Sequence, residues 1–184
     1  MKTKGAQRRR LRRLTLDAML VSLALVLALV ERWIPLELIV PVPGLKLGLA
    51  NIVTLVALMR LHVTDALAIL LVRIMIMSAI TGITTMLFSL GGGLLALVVM
   101  WLLSFLEGRS LSVIGMSMAG AAAHNIGQVG VASLVLAEPL LLVTYLPPLL
   151  ITGLLTGVLT GAAAGPVIRN LTALPLPQHK EEAS

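Results

Sequence analysis

From Leu14 to Ile168 the sequence is a succession of long apolar runs, interrupted only by short stretches bearing proline, glycine or charge. No other feature narrows the possible folds as much. A helix of about 20 apolar residues matches the hydrocarbon thickness of a bilayer. On that ruler the chain divides at roughly 14–34, 47–61, 65–83, 91–106, 113–136 and 145–168, with the second and fourth segments short. Continuous runs, as opposed to alternating strands of about ten residues, exclude a β-barrel. Composition closes the soluble alternatives: 58% of the 184 residues are hydrophobic and 12% charged. A globule of this size leaves too much surface in water to hide that much apolar area, and a disordered chain needs low hydrophobicity. The expected fold is an all-α polytopic membrane protein. A six-helix domain spans 14–168, between a basic tail at 1–13 and a C-terminal tail at 169–184.

Charge placement orients the spans. Seven of the 14 Lys and Arg fall within the first 13 residues, directly before an apolar run. A basic run of this kind reads as a topogenic, lipid-facing cluster, and without interleaved aromatics it is a poor nucleic-acid site. A cleaved signal peptide also starts this way. Here the run from Leu14 to Val30 is long, and Glu31-Arg32-Trp33 follows it without a small-x-small cleavage site, so a retained first helix is expected. With six spans, eleven cations fall on the side of the termini and two, Arg32 and Lys46, on the other. Both termini are therefore expected in the cytoplasm and the chain in the inner membrane.

Apolar helices gain nothing hydrophobic by meeting in lipid, so small residues at four-residue spacing mark close contact. Gly153, Gly157, Gly161 and Gly165 form one such ridge in the last segment. Gly115, Ala119, Ala123 and Gly127 form another in the fifth, and Ala24 and Ala28 a shorter one in the first. The neighbour of the four-glycine ridge is expected within the same chain.

Polar side chains inside apolar spans are costly and face the bundle interior. They are few: Asn51, Arg73, His124, Asn125 and Gln128, with Lys46 at an outer helix mouth. Arg73 lies eight residues beyond Asp65, about 12 Å into its helix. All eight acids fall at or beyond the ends of the segments, so no carboxylate is expected beside it. Amides, water or a bound anion remain as its neutralising partners. One reading makes Arg73 internal glue. The other makes it an anion site to which Lys46 and His124 add donors. His124 and Gln128 stand one turn apart with Asn125 beside them, suited to line a polar cavity or to clamp helices together. A lone His with no second ligand nearby is poor metal chemistry, and no metal or cofactor is expected.

Pro35, Pro41, Pro43 and Gly44 rule out a regular helix in the first outer connection, which reads as a cap over the bundle or an ordered linker. Thr81 to Gly93, with Thr84, Thr85, Ser89 and Gly91 to Gly93, reads as a second irregular outer turn able to expose backbone amides.

The strings GLKLGLANIVTL (44–55), SLGGGLLALVVM (89–100) and above all GMSMAGAAAHNIGQVGVA (115–132) resemble the Gx transporter family, whose members carry the label heptaprenyl diphosphate synthase component I. The resemblance runs from about 14 to 168. That family is similar in turn to the substrate-binding S components of energy-coupling factor (ECF) transporters. The resemblance implies six helices, cytoplasmic termini and an outward-opening site capped by the first outer loop. It also implies docking on an energising module of a transmembrane coupling protein and ATPases, with a first-helix AxxxA pattern, matched by Ala24 and Ala28, at that contact. On this reading Lys46 and Arg73 neutralise a small anionic or phosphate-bearing solute, and Asn51, His124, Asn125 and Gln128 orient it.

The synthase label implies a different role. Prenyl diphosphate synthases hold diphosphate through magnesium on paired aspartate-rich helices. This chain has only Asp17 and Asp65, far apart and near membrane faces, and no DDxxD-like cluster. The polypeptide is expected not to be an enzyme, although a non-catalytic membrane subunit in isoprenoid-quinone metabolism fits. No GxxxxGK[ST] loop is present, so ATP-driven work would fall to other proteins. A stand-alone permease would need a coupling-ion site, for which mid-span carboxylates are missing.

Overall fold

The computed structural model describes residues 2–33, 49–106 and 111–172. Lys46, the proline-bearing connection at 35–44, Arg109 and the tail beyond 172 lie outside the described residues. Seven helices follow one another: α1 Lys2–Trp33, α2 Asn51–Arg60, α3 Val63–Thr81, α4 Ile83–Ser104, α5 Val113–Leu136, α6 Leu140–Thr144 and α7 Leu146–Thr172. No β-strand occurs among the described residues. Each long apolar segment of the sequence has its helix. The basic run at 2–13 belongs to α1 itself, and α7 continues past Ile168 to Thr172.

Helix interiors rich in Leu, Ala and Met favour this state intrinsically, and local chemistry sets several ends. The His62 side chain accepts from the Thr64 N–H while the Asp65 carboxylate accepts from the His62 N–H, a reciprocal cap that starts α3. Ser112 Oγ accepts from the Gly115 N–H at 3.1 Å and starts α5, which ends on Ala137 at φ 55°. Pro147 and Pro148 stand in the first turn of α7, where a missing N–H costs nothing. The joint between α3 and α4 is Gly82 alone, at φ 83° and ψ 169°, a backbone region open almost only to glycine.

That joint narrows the irregular turn expected at Thr81 to Gly93 to the single residue Gly82. The helix α4 begins at Ile83 and carries the rest of the stretch. Glycine weakens a helix in water, but where two helices cross it lets their backbones approach, and Gly92 and Gly93 are buried at such crossings. The fourth segment thereby gains a full 22 residues.

Polarity runs inside out. Met19, Leu23 and Val26 of α1, Met75, Ile76 and Ile80 of α3, and Leu155 and Leu159 of α7 are exposed, whereas Glu31, Arg73, His124, Asn125, Gln128 and Thr160 are buried. An apolar exterior on this scale calls for lipid, and the chain is a multi-pass membrane protein. By length and apolar composition four helices can cross a bilayer: Arg13–Trp33 of α1, α3, α4 and Leu146–Asn170 of α7. The remaining two expected spans differ from these. The described part of α2 has 10 residues. The helix α5 has 24, but His124, Asn125, Gln128 and its glycines dilute its apolar character. Because α5 packs mainly between α4 and α7, protein and not lipid surrounds most of it.

Named contacts give the helix directions. Positions 91, 92 and 100 of α4 meet 127, 124 and 120 of α5, and 153, 157 and 161 of α7 meet 125, 118 and 114 of α5. Both pairs are therefore antiparallel. Arg13 of α1 pairs with Asp65 at the start of α3.

Candidate polar site within the bundle

Arg73 stands mid-way along α3 with 8% of its surface exposed. Its neighbours Leu70 and Ile74 pack against the place where a Cβ on Gly93 would sit. One residue earlier in α4, a Cβ on Gly92 would lie 2.7 Å from the His124 carbonyl oxygen and 3.0 Å from Nδ1 of its ring. The glycine leaves the seat in which the imidazole rests. One residue after His124, Asn125 Nδ2 donates to the Leu149 carbonyl of α7 at 2.5 Å. Gly153 of α7 makes room for that amide, since a Cβ there would collide with Nδ2. Gln128 is buried one turn beyond His124. This chain of contacts from α3 through α4 and α5 to α7 places Arg73, His124, Asn125 and Gln128 in one layer of the bundle.

One acid that the sequence places at a helix end, Glu31, is buried. Glu31, in the last turn of α1, is itself 8% exposed and is the charged group that acts electrostatically on the Arg73 guanidinium. Position along a span told only that Glu31 is near a helix end. Its burial depends on α1 lying against α3. Of the other expected site residues, Asn51 is the first residue of α2 and half-buried. Lys46 lies outside the described residues.

The small-residue ridges resolve into particular neighbours. Gly153, Gly157 and Gly161 face α5: a Cβ on Gly157 would lie 2.7 Å from Met118 Cα, and one on Gly161 2.7 Å from Ile114 Cα. A Cβ on Gly165 would meet no described atom within 4 Å beyond its own stretch of helix. In α5, Gly127 sits where a Cβ would be 2.5 Å from the Gly91 carbonyl oxygen, so the α4 glycine run is the other half of that crossing. A buried hydroxyl pair, Ser117 Oγ and Thr160 Oγ1 at 2.7 Å, joins α5 to α7 beside it. Sequence reading passed over both features. The signals available were three successive glycines within an apolar run and a Thr directly before a ridge glycine. Ala24 is 1% exposed, inside the chain's own core, with Ala28 half-buried, so Ala24 serves packing within the bundle.

A second charged group lies at the other end of α3. Arg13 Nη2 donates to both oxygens of Asp65 at 2.6 Å, and Nε to one of them at 3.0 Å. Asp17 lies within electrostatic reach of both residues. The two aspartates, expected to be far apart, are thus brought within electrostatic reach, because the 13–17 stretch of α1 lies beside the start of α3. Arg13 occupies the carboxylate of one of them. Among the described residues no group of three His, Cys, Asp or Glu side chains could hold a metal ion.

Neither the curated proteins nor the solved structures contain a match to this chain. A family model, heptaprenyl diphosphate synthase component I, matches residues 20–167. That stretch holds the buried polar layer and every helix crossing described above, and the chain belongs to the heptaprenyl diphosphate synthase component I family.

Proposed function

We propose that this protein is the solute-capturing subunit of a membrane uptake transporter, resembling the S components of ECF transporters. It takes a small solute bearing an anionic or phosphate group. One observation carries the reading: Arg73, His124, Asn125 and Gln128 are all buried in one layer of a bundle whose exterior is apolar. Burying polar groups in lipid is costly, and a layer richer in them than helix packing needs points to a guest. Arg73 takes the anionic group through its planar fork of donors. Asn51, His124, Asn125 and Gln128 orient the solute, and Lys46 with the 35–44 connection closes the site from outside. The site lies within six spans over 14–168, in the inner membrane, with the tails at 1–13 and 169–184 in the cytoplasm. Energy comes from a separate coupling protein and its ATPases. Native mass spectrometry of gently extracted protein tests this directly. A bound small molecule together with ATPase subunits supports it, and a bare chain in every preparation argues against it.

The family description favours a second reading, a non-catalytic membrane subunit of heptaprenyl diphosphate synthase. Asp65 is engaged by Arg13, which leaves Asp17 as the one other aspartate for a diphosphate-bound magnesium. Catalysis would then reside in a soluble partner, and co-purification with a prenyltransferase in place of ATPases supports this role.

A further inference from the structure

The helix α2 packs against α1, α3, α4, α5 and α7, and it starts at mid-depth in the bundle. Only Leu61 and His62 join it to α3, so the two helices form a hairpin with Arg60 and Val63 level. Asn51 stands nine residues from Arg60, and Arg73 ten from Val63. At 1.5 Å per residue their heights are about 14 and 15 Å. Arg73 also lies on the side of α3 that meets α2. Leu70 and Ile74 rest against Gly93 of α4, and Asp65 meets Arg13 of α1. At about 100° per residue, position 73 falls midway between those two directions. The start of α2 is buried and uncapped: its N-cap Ala50 is 2% exposed and offers no side-chain acceptor to the first turn. The Ile52 N–H donates to the Leu49 carbonyl at 3.1 Å, whereas those of Asn51 and Val53 have no acceptor among the described residues. Arg73 is more than nine-tenths buried, and among the described residues it makes no hydrogen bond or ion pair. Glu31 acts on it only electrostatically. A helix start carries unsatisfied N–H groups and partial positive charge. Two positive elements therefore share one height inside the bundle, an arrangement that favours an anion between them.

From this juxtaposition we infer that Arg73 and the start of α2 together hold a phosphate monoester group, that of the solute. The guanidinium fork engages two of its oxygens, and the N–H groups of Asn51 and Val53 take a third. A carboxylate, with two oxygens, satisfies only one of these elements fully. The inference rests on the solute-capture reading above; it selects phosphate over carboxylate and gives the backbone at the start of α2 a binding role.

The test uses the full chain in phosphatidylcholine nanodiscs. Inorganic phosphate and glycerol 3-phosphate are the probes, with acetate and glycerate as their carboxylate counterparts. Equilibrium binding and thermal stabilisation are read for wild type and Asn51→Asp. A phosphate probe is expected to bind wild type roughly ten- to a hundredfold more tightly than its counterpart, the range expected for one charge-assisted hydrogen bond. Asn51→Asp puts a carboxylate at the helix start, where it favours the fold and competes with the guest. Its melting temperature should equal or exceed that of wild type while phosphate binding falls by a similar factor, a split that a merely structural role for this helix end does not produce. If Asn51→Asp does not fold, the wild-type comparison of phosphate with carboxylate still decides. Equal or tighter binding of the carboxylates, or unchanged phosphate binding in Asn51→Asp, overturns the inference while leaving solute capture standing. Binding of phosphatidic acid added to the discs, with none of glycerol 3-phosphate, keeps the phosphate site but assigns it to a lipid and overturns solute capture. Failure of every probe to bind wild type overturns the solute-capture reading and this inference with it.

Discussion

Asn125 of α5 donates its side-chain amide to the carbonyl of Leu149 in α7, at 2.5 Å and in the gap that Gly153 leaves. The hydrogen bond and the glycine are one device, since a side chain at 153 would occupy the position of the amide nitrogen. Gly153→Ala is therefore expected to destabilise the protein by about 1–3 kcal/mol through overpacking and loss of the bond. Thermal unfolding in detergent measures it. Gly165→Ala, whose methyl would meet no described atom within 4 Å beyond its own stretch of helix, serves as the control and should shift the midpoint little.

The α4–α5 crossing responds to volume in the same way. A methyl on Gly127 would lie 2.5 Å from a backbone oxygen of Gly91, and backbone yields less easily than the end of a flexible side chain. Gly127→Ala should cost about 1–3 kcal/mol. Ser117→Ala, which only removes one hydroxyl from the pair with Thr160, should cost roughly 0.6–1.7 kcal/mol. If Ser117→Ala, at the α5–α7 contact, proves the more damaging, close backbone approach between α4 and α5 is not the main constraint on how α5 packs.

Arg73 and Glu31 are both buried, and Glu31 acts electrostatically on the Arg73 guanidinium. Arg73→Met is expected to destabilise by about 3–5 kcal/mol. The double variant Glu31→Gln with Arg73→Met should recover most of that loss. A double-mutant cycle on melting in nanodiscs reads the coupling. Additive single effects would mean that the two residues do not act on each other.

Asp65 serves two structures at once, the bridge to Arg13 and the cap on His62. Asp65→Asn keeps an acceptor for the cap and loses only a partly exposed ion pair, so a cost of about 0.5–1 kcal/mol is expected, weakening with salt. Asp65→Ala loses both and should cost about 1–2 kcal/mol. Unfolding midpoints at low and high ionic strength separate the two contributions.

Much of this architecture could be read from residue order. Apolar runs marked every long helix, the ridge at Gly153, Gly157 and Gly161 marked a close neighbour, and the rarity of Arg73, His124, Asn125 and Gln128 in apolar surroundings marked them for burial. What escaped depends on which helices lie side by side. Glu31 counted as an end residue until α1 was placed against α3. Asp17 and Asp65 counted as distant until the same packing joined them. Gly91 to Gly93 suggested a turn because glycine more often ends a helix in water, whereas between lipid-embedded helices it permits contact. The helix α5, expected as a span, carries more polar residues than a lipid-facing helix would, because its surroundings are mostly other helices.

Gly82 leaves α3 and α4 no slack. Two rods sharing a one-residue pin can hinge about it, yet neither can slide lengthwise past the other. The heights of Arg73 on one rod and of Gly92, the seat of the imidazole, on the other are accordingly locked together. Whatever rearrangement the bundle undergoes, this pair travels as a single piece, and the sliding must be done by its neighbours.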